Sequence, residues 1–180
     1  MMTFWQSGYE TTSISDLTAA MGITAPSIYT AFGDKKQLFL EAMTHYAGTP
    51  EELDKSLHDA TSAREAAEQM LLASAKAFTG DATPKGCLLA SATASGSKHS
   101  IDVQSAVADV RGRIAASLRR RIEHDIDIGL LPKTTDSRTL ALMIIATIQG
   151  MSVLARDGVP RAELLALAKT AMAVWPGLPA

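Results

Sequence analysis

The sequence contains a single cysteine, Cys87, in 180 residues, which excludes an intramolecular disulfide and fits a reducing compartment. Aromatic residues are only 5% of the chain, and 17 Lys and Arg against 19 Asp and Glu give a net charge of −2. A chain with this balance does not bind nucleic acid or acidic membranes indiscriminately. The start also lacks a basic segment followed by an apolar run, so we predict no secretory signal and expect a cytoplasmic protein.

Residue patterns of the common enzyme sites are missing as well. No Ser-His-Asp order, Gly-rich phosphate loop or pair of neighbouring carboxylates stands out. The four histidines have neither close spacing nor a Cys-x-x-Cys companion; they are His45, His58, His99 and His124. We therefore predict no enzyme, no metal site and no cofactor. Turnover of a bound compound would favour an enzyme instead.

Residues 8–40 carry the most informative pattern, two short amphipathic segments joined by a glycine. Ser13 or Ser15 can cap the first segment, and Gly22 stands where helices often end in a left-handed residue. We expect Ile23 to turn inward between the two helices. The predicted buried face of the first helix is Ile14, Leu17, Ala20 and Met21. This arrangement predicts a helix-turn-helix.

The second segment has the features of a DNA recognition helix. Thr24 can cap it, Pro26 fits its first turn, and Ile28 and Phe32 are expected in the core. The opposite face carries side chains that could enter a major groove: Ala25, Ser27, Tyr29 and Thr30. Gly33 or Asp34 would then start a third helix, whose first turn places Lys35 and Lys36 near a phosphate.

The strings GYETTSISDLTAAMGI and PSIYTAFGDKKQLF resemble the TetR family of bacterial one-component repressors. The resemblance implies a three-helix DNA-binding domain over residues 1–47 and a larger all-helical effector-binding and dimerisation domain over 48–180. By position, Tyr29 and Lys35 match phosphate contacts of the family, and Ser13 matches a contact at the start of its helix. The base-recognition stretch matches Ala25, Pro26, Ser27 and Thr30. With the cap Thr24 and with Lys36, these residues form the predicted DNA-binding set.

The start of the chain departs from the family pattern. We expect an incomplete first helix, with Phe4 and Trp5 in its last turn. Part of the hydrophobic underside of the domain should then be exposed, namely Leu17, Ile28, Phe32 and Leu38. The only Lys and Arg in residues 1–47 are Lys35 and Lys36, and the acidic residues are Glu10, Asp16, Asp34 and Glu41, which gives a local net charge of −2. Either the native reading frame begins upstream, or the regulator folds and binds operators weakly.

Helices are predicted for the rest of the chain. They cover 51–60, about 63–78 after a Ser62–Glu65 capping box, Cys87 to about Gly96, 101–130, 140–155, and a last helix from Pro160. Residues 140–155 are apolar on nearly every side. Sixteen residues are fewer than the roughly 20 of a membrane span, so we predict a helix buried partly in its own subunit and partly against a partner, and no membrane.

This helix and the last one are predicted to form a twofold dimer interface. Its residues would be Leu140, Ile144, Ile148, Leu164, Leu165, Ala168, Met172 and Trp175. The effector cavity implied by the resemblance would be lined by Met70, Phe78, Met143, Thr147 and Met151, with core packing as the alternative role of each. Arg119, Arg120 and Arg121 are expected on a solvated face, paired with Glu123 and Asp125.

The predicted function is that of a dimeric regulator, expected to be a repressor. It would bind palindromic double-stranded operator DNA and be released by an unknown small-molecule effector. The alternative is a helical small-molecule-binding dimer with weak or no DNA binding, favoured by the short start and the acidic first domain.

Overall fold

Helices and short connections make up the part of the chain that the structure describes. The structure, a computed structural model, describes residues 1–92 and 100–177. The helices in this part are α1 Met2–Ser7, α2 Ile14–Met21, α3 Ala25–Phe32, α4 Lys35–Ala47, α5 Pro50–Asp59, α6 Ala63–Phe78, α7 Leu88–Ser91, α8 Ile101–Asp127, α9 Ser137–Arg156 and α10 Arg161–Met172. The all-α prediction is confirmed. The predicted end of a helix near Gly96 lies outside the described residues.

Side-chain caps set the starts of several helices. Half of the predicted Ser62–Glu65 capping box is present at α6, since Ser62 accepts the N–H of Glu65 at 3.2 Å, whereas the Glu65 carboxylate accepts the N–H of Thr61 at 2.7 Å. Asp136 likewise caps α9 by accepting the N–H of Thr139 at 3.0 Å. Because this cap starts α9 at Ser137, the helix has 20 residues rather than the expected 16. It is long and apolar enough to cross a membrane by length and composition. In the structure it packs against α6, α8 and α10.

We call residues 1–47 the head and the described residues from 48 onward the body. In the body, α8 and α9 pack together, with α6 and α10 against α9 and α5 against α8. The predicted apolar stripe of α8 is buried at Val103, Val107, Val110, Leu118 and Ile122. The helix α10 ends at Met172, so Trp175 follows it as a buried residue outside the helix.

Arg121 differs from its prediction. It is one step of three residues after Leu118 and therefore shares the buried stripe of α8. Its guanidinium pairs with Asp125 at 3.2 Å, and Asp125 also accepts the N–H of Ala63 at 2.6 Å. Arg119 pairs with Glu123 on the surface as expected. The buried pair joins α8 to the first turn of α6.

The hydrophobic underside of the head is buried although α1 is short. Phe4 is fully buried, with its ring 5.2 Å from that of Phe39 in an edge-on contact. Leu17, Ile28 and Leu38 are buried as well, so the predicted exposure of these residues is wrong. Two large aromatic side chains in one turn of α1, Phe4 and Trp5, supply enough apolar surface to cover the short helices.

Two polar contacts attach α1 to the body. The indole N–H of Trp5 donates to the carbonyl of Gly86 at 3.1 Å, and this bond is buried. The carbonyl of Trp5 accepts from Arg156, at the end of α9, at 2.9 Å, and the same guanidinium contacts the hydroxyl of Ser91. The orientation of the head is therefore coupled to the segment 86–91 and to α9.

Candidate nucleic-acid interface and neighbouring cavity

The turn between α2 and α3 has the geometry that its sequence predicts. Ser13 caps α2 by accepting the N–H of Asp16 at 3.1 Å, and Asp16 accepts the N–H of Ser13 at 2.8 Å. Gly22 ends the helix at φ 66°, in the left-handed region that favours glycine. A tight helix-turn-helix follows from these local contacts.

Burial around this turn differs from the prediction. Leu17 is buried and Ile14 is half-buried, but Ala20, Met21 and Ile23 are exposed, the last two at 40% and 39%. They lie in the last turn of α2 and in the residue after Gly22, where no other described element covers them. The predicted inward position of Ile23 is therefore wrong.

The recognition helix α3 presents one face to the core and the other to solvent. Ile28 is fully buried, and Phe32 is partly buried against the core. Ala25 is half-buried at the edge of the outer face. The exposed side chains are Pro26, Ser27, Tyr29, Thr30 and Ala31, with Tyr29 at 50%. The structure thus brings the predicted base-contacting residues together on one outward surface.

Lys35 is held by the head itself. Its ammonium donates to the carbonyls of Tyr9 and Thr12, both at 3.0 Å, and lies 4.4 Å from the centre of the Tyr9 ring. An ammonium has three N–H donors, so one remains for a phosphate. Lys35 therefore fixes the loop after α1 against the start of α4, in addition to the predicted DNA contact.

Lys36 is directed to the body rather than to the expected phosphate position. Its ammonium pairs with the Asp102 carboxylate in the first turn of α8. The hydrogen bond from Lys36 holds the pKa of Asp102 below its ordinary value, and the same bond raises the pKa of Lys36. Nothing in the sequence links these residues, which are 66 positions apart.

Two acidic residues of the head, Asp16 and Asp34, stand at helix N-termini. Asp16 accepts the N–H of Ser13 at the start of α2, and Asp34 caps α4 by accepting the N–H of Gln37 at 2.7 Å. Carboxylates at helix N-termini interact favourably with the helix dipole. Ser13, however, also donates its hydroxyl to Asp16 at 2.7 Å, so the predicted DNA contact at Ser13 would have a carboxylate beside it.

A cavity of about 420 Å³ lies in the body beside the end of α4. Its wall is mainly apolar and includes a few polar groups. Among the lining residues are Tyr46, Met70, Phe78, Cys87, Arg111 and Gln149. The predicted cavity residues Met70 and Phe78 therefore line it, and Tyr46, Arg111 and Gln149 were missed. Tyr46 lies just before the helix-ending Gly48, which could have marked it as facing the body.

The other predicted cavity residues lie on a different side of α9. Ile145, Ile148 and Gln149 form the cavity wall on this helix. At about 100° per residue, Met143, Thr147 and Met151 form a separate stripe. Met151 is fully buried in the core, and the hydroxyl of Thr147 donates to the carbonyl of Met143 at 2.9 Å. None of the three is among the residues that line this cavity; Met151 packs in the core, Met143 packs partly against it, and Thr147 is half-buried.

Tyr46 and Cys87 meet at the cavity wall. The Tyr46 hydroxyl donates to the Cys87 sulfur at 3.4 Å, and the Cys87 N–H donates to Ser152 on α9 at 2.8 Å. Burial is the main cause that raises the pKa of Tyr46, with Cys87 second, so its hydroxyl stays neutral. The wall thus connects α4, the segment before α7, and α9.

The residues predicted for dimerisation are largely used inside one subunit. Seven of them are buried and Leu165 is half-buried; the buried set is Leu140, Ile144, Ile148, Leu164, Ala168, Met172 and Trp175. Another stripe of α9, at Leu142, Ala146, Gly150 and Val153, is exposed. We call these four residues the α9 stripe. The exposed faces of α9 and of the chain after α10, including Val174, replace the buried set as the candidate partner surface.

Two histidines that are distant in the sequence lie close together in the structure. The rings of His58 and His124 are 6.2 Å apart, between α5 and α8. Within residues 1–92 and 100–177, no group of three or more His, Cys, Asp or Glu is placed to hold a metal ion.

An exposed helix after a glycine turn, joined by one helix to a larger helical body with an apolar cavity, defines a helix-turn-helix class of DNA-binding protein. Comparisons with known proteins agree. The protein-family model described as "Bacterial regulatory proteins, tetR family" matches residues 1–42, and the family model described as "Tetracyclin repressor-like, C-terminal domain" matches residues 63–161.

Individual relatives match the chain over different lengths. The HTH-type transcriptional repressor ComR of Escherichia coli (strain K12) is 31% identical over 186 residues, covering 99% of this chain and 86% of that protein. The repressor BdcR of the same strain is 31% identical over 87 residues, covering 48% and 44%. A solved structure of the TetR family regulator CifR, complexed with 26-base-pair operator DNA, has a TM-score of 0.91 and 39% identity, covering 97% and 92%. This chain belongs to the TetR family and is a transcriptional regulator.

Proposed function

We propose that the protein represses transcription as a cytoplasmic homodimer. Each α3 helix enters a major groove of a palindromic operator, and a small apolar effector in the body cavity weakens binding. The observation that carries this proposal is the course of α4. It begins with Lys35 in the candidate DNA surface and ends with Tyr46 and Ala47 at the cavity wall.

The path of α4 gives a physical route for coupling. Thirteen residues span about 20 Å. An effector that displaces Tyr46 must move the far end of a rigid helix whose first residue, Lys35, holds the Tyr9 and Thr12 carbonyls. A coupling of about 1 to 3 kcal/mol would change operator affinity by about 5- to 150-fold.

The exposure of the α9 stripe supports dimerisation through this surface. Leu142 and Val153 are 50% and 56% exposed on an apolar helix. Gly150 has open space where a Cβ would stand, so another backbone can approach closely. Two recognition helices about 34 to 36 Å apart reach successive major grooves on one side of a duplex.

Operator binding is tested by selecting fragments of the organism's own genome and measuring fluorescence anisotropy. The variant Pro26→Glu places a carboxylate on the outer face of α3 and should abolish binding. Thr44→Glu adds the same charge to an exposed position of α4 and should retain most of it. Equal loss in both variants would contradict recognition by α3.

Effector binding is tested by adding small apolar compounds to the complex with selected DNA. Compounds that raise the melting temperature of the free protein should release the DNA. Ser74→Phe, which fills part of the cavity, should block release and leave DNA binding intact. Release that persists in this variant would place the effector elsewhere.

A ligand-binding dimer without operator binding is the second candidate. The engagement of Lys35 by two carbonyls and of Lys36 by Asp102 favours it, because a nucleic-acid interface needs available cations. Effector binding without enrichment of any genomic fragment would support this candidate.

A further inference from the structure

The outer face of α3 carries no side chain that can make a paired hydrogen bond to a base. The helix has the sequence APSIYTAF, without Arg, Lys, Asn, Gln, Asp or Glu. Strong discrimination between bases in the major groove usually comes from bidentate hydrogen bonds of such side chains. Hydroxyl groups are the only polar side-chain groups available on this helix.

The hydroxyl nearest the start of the helix is already engaged. Thr24 Oγ1 and Ser27 Oγ lie 3.0 Å apart and share a hydrogen bond. Serine and threonine hydroxyls also donate to and accept from different bases, so they discriminate weakly. Polar side chains of α3 therefore contribute little to base selection.

Main-chain donors in the first turn are also reduced. Pro26 has no N–H, and the N–H groups of Ser27 and Ile28 donate to the carbonyl of Thr24 at 3.1 and 3.3 Å. A helix start usually offers such groups to an acceptor on DNA. Here the end of the helix that would enter the groove is mostly apolar.

What the face does offer is methyl and methylene surface. The Pro26 ring and the Thr30 side chain are exposed one helical turn apart, and Ala25 lies half-buried at their edge. Among unmodified base pairs, the C5 methyl group of thymine is the apolar group in the major groove.

We propose that α3 selects thymines in each half-site by contact of Pro26, Thr30 and Ala25 with their C5 methyl groups. The inference rests on the proposed function and adds to it the kind of operator sequence that the protein recognises. Each contacted methyl group should contribute about fourfold in affinity, the effect of burying about one CH₂ equivalent. One such methyl in each half of a symmetric operator gives about 15-fold.

Uracil tests this directly, because it pairs as thymine does but lacks the methyl group. Genomic fragments selected with the full chain are amplified either with dTTP or with dUTP in its place. The affinity of the protein is then measured for the thymine form and the uracil form of each fragment. We expect the uracil form to bind at least about 15-fold more weakly. Single thymine-to-uracil changes then locate the contacted positions.

A double-mutant cycle assigns the contact to α3. Thr30→Ser removes the protein methyl group and keeps the hydroxyl at an exposed position, so folding should be unaffected. At the thymine whose methyl group Thr30 contacts, replacement by uracil should lower the affinity of the unchanged protein about fourfold and that of this variant hardly at all. Thr44→Ser, on the exposed side of α4, should leave that loss unchanged.

Failure of the inference and failure of the proposed function give different results. Equal affinity of the thymine and uracil forms, or equal sensitivity of Thr30→Ser and the unchanged protein at every thymine, would overturn methyl recognition while operator binding stands. If no fragment is enriched, operator binding itself is contradicted, and methyl recognition falls with it.

Discussion

The Lys36 ammonium in the head pairs with the Asp102 carboxylate in the body, across the start of α4 and the first turn of α8. Because the pKa of Asp102 is lowered, this pair persists at neutral pH and is lost only as the pH falls through that lowered value. The pair withholds from DNA one of the two lysines of the head.

We predict that Asp102→Asn makes operator binding more salt-dependent. Releasing one Lys36 per subunit frees two cations per dimer, which should steepen the slope of log K against log salt by about 1.8. The slope is measured by anisotropy between low and moderate salt. Asp81→Asn removes a carboxylate paired with Lys85 in the body and serves as the control. An unchanged slope for Asp102→Asn would mean that Lys36 cannot reach phosphate even when free.

Asp125→Ala should strongly destabilise the protein. It leaves Arg121 buried without its carboxylate and removes the acceptor of the Ala63 N–H. Breaking one side of a buried pair typically costs about 3 to 5 kcal/mol. Urea unfolding measures the loss. Glu123→Ala, which breaks the exposed pair with Arg119, should cost less than about 1 kcal/mol. Similar losses in both variants would contradict the buried role of Asp125.

Gly86→Ala should lower the melting temperature and weaken the attachment of the head. Gly86 has φ 80°, and a Cβ there would stand 2.8 Å from the Ser152 carbonyl oxygen and from Arg156 Nε. The backbone conformation alone costs about 1 to 2 kcal/mol for other residues. Gly112→Ala on α8 has open space and should instead stabilise by about 0.5 to 1 kcal/mol. Calorimetry compares the two, and equal effects would be inconsistent with the crowding at Gly86.

Val153→Asp should convert the proposed dimer to monomers. The α9 stripe is exposed in the subunit, so a carboxylate there costs little in folding but would be buried against a partner. Sedimentation at several protein concentrations measures the dissociation constant. Ala116→Asp adds the same charge to an exposed position of α8 and is the control. A Val153→Asp dimer of unchanged strength would exclude the stripe from the interface.

Short-range sequence signals were sufficient to predict the recognition helix. Gly22, Pro26 and the spacing from Ile28 to Phe32 act within a few residues of one another, so the turn and the exposed face of α3 could be predicted. Exposure of Ile23 could not, because it depends on which other elements cover the end of α2.

Short-range sequence signals could not predict the contacts between residues distant in sequence or the orientation of α9. Lys36 meets Asp102 from 66 positions away, and no short-range pattern links them. The helix α9 is apolar on nearly all sides, so periodicity does not say which side faces the cavity, the core or a partner. The sequence therefore predicts Met151 in the cavity and Ile148 in the dimer interface, although both are buried within the subunit.

The apolar outer face of α3 has a consequence for chemically modified DNA. Cytosine methylated at C5 presents the same small group at the same edge of the groove as thymine. If Pro26 and Thr30 contact thymine methyl groups as proposed, they would contact the methyl group of either base. Under the proposed methyl recognition, methylation of cytosine at C5 should therefore strengthen binding at a contacted position without any change in base sequence.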